Sequence, residues 1–161
     1  MESILKLFEL SIWSGIAAVG FGILFNIPKK AIFTVFILGF ASGLTKSILL
    51  NFHVNIVIAS FTGALLVGFL SMPLAHKIHQ PPVVFSIPAI IPMIPGFYAY
   101  KTVLSIMNFT FLETDQVKRL ELVDAIFSNG FTMLFVLISI TVGVLFPLLI
   151  LRKSTVKKVR D

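Results

Sequence analysis

The chain has 161 residues, of which 57% are hydrophobic and only 12% charged, and its mean hydropathy is +1.02. Soluble domains carry about 25% charged residues, so a water-facing globular surface is excluded. The formal charge of +6 would suggest nucleic acid in a soluble chain, but here it reads as a basic excess beside a membrane, and no nucleic-acid partner is expected.

The seven acids are Glu2, Glu9, Glu113, Asp115, Glu121, Asp124 and Asp161, and none lies between Leu10 and Leu112. That region contains several apolar runs of the ~20 residues a bilayer-spanning helix needs. The expected fold is an all-α integral membrane protein of about five transmembrane helices, with a proline-broken fourth unit. There is no cysteine, which excludes disulfides and thiol chemistry. No basic region precedes the first apolar run and no small-residue cleavage site follows it, which speaks against a removed signal peptide.

The first predicted span covers 8–27, where Gly15, Gly20 and Gly22 suit close helix approach. Asn26-Ile27-Pro28-Lys29-Lys30 ends it, because proline disfavours helix just before itself and the lysines favour water. Trp13 fits an interface, a core or a lipid-facing position.

A second span at 31–50 carries Gly39 and Gly43 in small-xxx-small spacing, with Ser42, Lys46 and Ser47 near the same face. Helix packing is the favoured reading of the glycines. Lys46 lies close enough to the span's end to snorkel to headgroups; the competing reading is a solute or ion contact. A short polar connection follows, and then a third span at 56–74 whose small-residue face includes Ser60, Thr62, Gly63 and Gly68. His76, Lys77 and His79 precede Pro81-Pro82. No third ligand with persuasive spacing joins the histidines, so no metal site and no cofactor are expected.

The fourth unit begins near residue 83 and crosses Pro88-Ala89-Ile90-Ile91-Pro92-Met93-Ile94-Pro95-Gly96. Each interior proline removes an N–H and leaves a carbonyl one turn earlier without its donor. Gly96 permits a sharp turn if its backbone is left-handed. Broken backbone survives inside a membrane only where protein or a wet cavity covers it. Beyond the break, Tyr98, Lys101, Thr102, Ser105 and Asn108 fall on one broad helical face, which fits either a packing surface or a passage. Lys101 either faces a cavity or snorkels.

A mixed-charge segment with Glu113, Asp115, Lys118, Arg119, Glu121 and Asp124 reads as external, as a short amphipathic helix, before a fifth span at 126–151. Pro147 is expected to bend or unravel the end of that span. Residues 1–151 then form the membrane domain, and 152–161 a basic cytoplasmic tail. With five spans, placing that tail inside puts Lys29, Lys30 and the His76/His79 connection inside as well, so the chain reads as N-out/C-in; a fourth unit folded as paired short helices gives four complete spans instead and moves the N-terminus.

Gly20-Phe21-Gly22-Ile23-Leu24-Phe25-Asn26-Ile27-Pro28 and the proline-rich stretch at 88–96, with Tyr98 and Tyr100 after it, resemble two hallmarks of the threonine/serine exporter family. The resemblance covers nearly the whole chain. It is closest to the small membrane subunit of the split, two-protein form, equivalent to the C-terminal half of fused members. It implies a bacterial inner-membrane location, export of a small carboxylate-bearing metabolite (threonine or serine, or succinate for the split pair) and a larger membrane subunit as partner. A homo-oligomer is also expected.

The residues expected along the substrate path are Pro88, Pro92, Pro95, Gly96, Tyr98, Lys101, Ser105 and Asn108. Phe25, Asn26, Pro28, Gly39, Gly43, Gly63 and Gly68 are expected as structural elements. Two alternatives to export are a noncatalytic scaffold for a larger transporter and a channel subunit. No HExxH, nucleophile elbow, phosphate loop or paired-acid arrangement supports an enzyme, and isolated serines in apolar helices usually bond to backbone.

Overall fold

The computed structural model describes residues 2–157, with side chains over 5–150, and is all-α across them. Six α-helices follow in order: α1 (Glu2–Leu24), α2 (Ile32–Asn51), α3 (Ile56–Ile78), α4 (Val83–Ile90), α5 (Gly96–Met107) and α6 (Gln116–Lys157). A 3-10 turn over Lys29–Ala31 leads into α2 and another over Ile91–Met93 extends α4, while a π-helical turn over Asn108–Leu112 extends α5. By length and composition α1, α2, α3 and α6 can each cross a bilayer, and the interrupted α4–α5 pair makes a fifth span if it crosses as one. The side chains of the basic tail lie outside the described set.

The chain divides into two compact units, one of Met1–Met93 with Ser139–Asp161 and one of Ile94–Ile138. In the first, α2 packs along α1 and α3 and against α4. Lipid tails are as apolar as leucine, so these helices associate through close approach and dispersion. A Cβ placed on Gly39 would lie 2.5 Å from Ala18 Cβ and 3.2 Å from Ser14 O. Ser14 Oγ donates to Gly39 O at 2.9 Å across the same crossing. Gly43 sits against Ser14, Gly63 against Met93 and Ser42 O, and Gly68 against Val144 O and Pro147. The glycine faces therefore admit close helix packing. They are filled by the chain's own helices. Trp13 is 60% exposed in the middle of α1, which removes the core position.

The Phe25-Asn26-Ile27-Pro28 turn has a local cause. Asn26 adopts φ 53, a left-handed conformation that asparagine tolerates better than most residues. Its N–H donates to Ile23 O at 2.9 Å and the Ile27 N–H to Gly22 O at 3.1 Å, the paired bonds of a Schellman helix stop. The Ile27 side chain closes over Gly22, and Pro28 prevents the helix from resuming. His53 and His79 hold the same left-handed position after α2 and α3. We expect Asn26→Gly to leave stability unchanged and Asn26→Val to cost about 1–2 kcal/mol, read as thermal unfolding in detergent.

In the second unit α5 packs against the start of α6, with Thr102 near Gly130. Asp115 Oδ1 accepts from Val117 N at 3.0 Å, capping α6. Arg119 closes the end of the π-turn: its Nη1 donates to Phe109 O at 3.1 Å and Glu113 O at 3.0 Å, with the guanidinium 4.1 Å from the Phe109 ring centroid. This cap corrects the expected boundary of the fifth span. The mixed-charge segment from Gln116 onward is the first part of a continuous 42-residue helix, not a separate amphipathic one. At 1.5 Å per residue α6 is about 63 Å long, against a hydrocarbon core of about 30 Å. Pro147 does not unravel it. The proline is buried inside α6 with its ring against Gly68, and the helix continues to Lys157.

Candidate functional site

Proline chemistry breaks the fourth unit as expected, in three stages. Pro88 is buried within α4, the path tightens to a 3-10 turn containing Pro92, and helical conformation is lost at Pro95 (φ −80, ψ 62). Gly96 departs from expectation. Its φ is not positive and a Cβ there would meet nothing within 4 Å, so the turn is made by Pro95 and Gly96 simply opens α5. Gly96→Ala is therefore expected to leave insertion and unfolding temperature unchanged, measured side by side with the unaltered chain.

The break exposes carbonyls that α2 answers. From Ala89 O, the residue three positions on is Pro92, which has no N–H to offer the tightened turn; Ser42 Oγ lies 3.3 Å from Ala89 O and shares its one proton between that carbonyl and Gly39 O at 3.0 Å. From Met93 O, the residue three positions on is Gly96, whose N–H goes to Ile94 O at 2.8 Å. Lys46 Nζ donates to Met93 O at 3.0 Å. Gly63 of α3 lets the Met93 side chain and α2 approach at the same place. Ser60, one turn earlier on α3, is fully buried and its Oγ has no hydrogen-bond partner among the described residues. From the sequence Lys46 reads chiefly as a snorkelling residue and Ser60 only as part of a small-residue face. The usable signal was the sharing of one helix face by Gly39, Ser42, Gly43 and Lys46 in a region without carboxylates.

The two family-like stretches meet elsewhere in the same unit. An open groove of about 460 Å³ is lined by Phe25, Asn26, Ile27, Pro28, Val83, Val84, Ile87 and Pro88. It is apolar apart from Asn26 and the backbone. α4 and its 3-10 turn run from this groove at Val83 to the Lys46 contact at Met93, about 15 Å of rise at helical spacing.

The remaining predicted path residues belong to the second unit. Tyr98, Ser105 and Asn108 are half-buried on the same face of α5 as Thr102, which packs on α6, so the chain itself covers part of this polar stripe. Lys101 is exposed, its Nζ 4.5 Å from the Phe97 ring centroid. Other hydroxyls satisfy helix carbonyls: Ser11 bonds Leu7 O, Ser71 bonds Gly68 O and Thr62 bonds Ile58 O. No group of three or more metal-ligating side chains occurs among the described residues.

Long apolar helices packed on small residues, with a broken segment held by polar side chains, define a multi-span α-helical membrane protein. Residues 10–150 match the family described as threonine/serine exporter, ThrE, and the chain belongs to that family. A curated protein of Haemophilus influenzae, described as uncharacterized, is 39% identical over 104 residues, which make up 65% of this chain and 35% of that relative. The match thus takes up about a third of the relative's length. No solved structure matches.

Proposed function

We propose that this chain is the small membrane subunit of a bacterial inner-membrane exporter for a carboxylate-bearing metabolite, working with a larger membrane subunit. The observation that supports this most directly is the helix break at Ile94 and Pro95, where α2 side chains hold the loosened carbonyls Ala89 O and Met93 O. Broken helices of this kind place backbone donors and acceptors at membrane depth, where transported solutes bind. In the N-out/C-in arrangement the groove beside Lys29 and Lys30 is the cytoplasmic mouth, and α4 leads from it to the polar contact at Met93. Serine, threonine and succinate are the candidate solutes.

The test is efflux of these three solutes from proteoliposomes containing this chain and its companion, each component also reconstituted alone. Saturable efflux with countertransport, present only with both components, is expected. Non-saturating conductance would identify a channel. Equal efflux from the companion alone would reduce this chain to a scaffold.

A further inference from the structure

Lys46 stands five residues before the end of α2 at Asn51. Side chains lean toward the N-terminus of their helix, so its stem leads away from the nearby end and into the bundle, where the ammonium meets Met93 O at 3.0 Å. Ionisable residues inside a membrane pair with one another or mark solute and ion pathways. Lys46 has no ion pair among the described residues. The one acid of its unit with a described side chain, Glu9, is exposed. A cation held by a single neutral carbonyl is matched in charge by an incoming anion.

Ser60 supplies the second, independent observation: a fully buried hydroxyl without a partner among the described residues. Gly63 lies against Ser42 O. Lys46 is one turn beyond Ser42 toward the α2–α3 connection, and Ser60 is one turn from Gly63 in the same direction, because the two helices run oppositely. The backbone positions of Lys46 and Ser60 therefore occupy one level of the bundle, beside the broken segment, and the Lys46 stem carries its ammonium back from there to Met93 O.

We propose that Lys46 and Ser60 form the recognition point for the solute's carboxylate, which replaces Met93 O on the ammonium, while Met93 O holds Lys46 when the site is empty. Charge-assisted hydrogen bonds are roughly twice as strong as neutral ones, so the exchange favours an anion over an uncharged isostere. Binding then frees Met93 O immediately before the Ile94 and Pro95 break. Lys101, exposed over its own Phe97 ring, has no comparable setting. The proposal rests on the export reading above and names the group that recognises the solute.

The experiment compares efflux of serine with that of serinamide, whose carboxylate is replaced by a carboxamide, from proteoliposomes holding both subunits. The unaltered pair is expected to favour serine by about 10- to 100-fold. Lys46→Gln is expected to bring the ratio to within a few-fold of one, Lys46→Arg to retain most of it, and Ser60→Ala to lower it by several-fold. Undiminished discrimination in Lys46→Gln overturns the proposal. Should that variant fail to insert, acetylation of the unaltered protein by an amine-directed reagent gives a second reading. Serine, threonine or succinate is expected to slow modification of Lys46 but not of Lys101, and equal modification with and without all three overturns the proposal. An unaltered pair that moves none of the three solutes defeats the export reading instead.

Discussion

Gly39→Leu is expected to abolish recovery of folded protein from the membrane, and Gly39→Ala to destabilise it by about 1–3 kcal/mol. Even a methyl group at this position would stand 2.5 Å from Ala18 Cβ, 3.2 Å from Ser14 O and 3.3 Å from Gly15 Cα. None of these is the movable end of a long side chain, so α1 and α2 must separate. Separation also breaks the Ser14 Oγ bond to Gly39 O, leaving the Ser14 hydroxyl among lipid or apolar side chains, where a missing partner is costly, while Gly39 O keeps Ser42 Oγ at 3.0 Å. Ala18→Gly removes the nearest obstacle and is expected to restore part of the loss in the Gly39→Ala background, the signature of direct contact in a double-mutant cycle. Gly20→Ala is the control, since a Cβ there meets nothing within 4 Å. Insertion yield and unfolding temperature in detergent provide the readout. A Gly39→Leu protein with unaltered yield and melting would remove the α1–α2 crossing from the account of stability.

Pro95→Ala is expected to lower export by about tenfold or more while leaving stability equal or higher. Alanine at this position supplies the N–H that proline withholds from an α-helical bond to Ile91 O and makes a continuous helix from α4 into α5 competitive. In that helix the Phe97 N–H reaches back to Met93 O, four residues earlier, and competes for it with Lys46 Nζ. A shift of only about 1.4 kcal/mol toward the straight form changes the populations tenfold. Gains in stability at the expense of activity are the usual result when a strained functional element is regularised. Efflux from proteoliposomes, melting in detergent and the acetylation rate of Lys46 test this together. Normal efflux with faster Lys46 modification would show that the Lys46 contact can be lost without loss of transport.

The sequence by itself determined what depends on neighbours along the chain. Spans follow from apolar run length, and the broken fourth unit follows from prolines that remove donors at known offsets. The stop after α1 follows from Pro28, which disfavours helix just before itself, and from the two lysines beyond it; the left-handed Asn26 that completes the stop came from the structure. Membership in the exporter family was legible for the same reason: its two motifs are short and local. Where local signals were weaker the boundary moved, as at Gln116, where the Asp115 cap and the Arg119 contacts start α6 well before the expected 126.

The tertiary structure alone decided how the helices face one another. Which helix each glycine admits, and that Gly39, Gly43, Gly63 and Gly68 are filled from within the chain, depends on relative register and rotation that helical periodicity does not encode. The same register brings Lys46 to Met93 O, residues 47 apart in the chain, and turns a lysine that could have reached the headgroups into one held at the break. It also gives Thr102 a neighbour at Gly130 and leaves Lys101 outside on α5. A polar side chain in a membrane helix goes to whichever partner removes its desolvation cost, and that partner is specified by packing, not by sequence spacing.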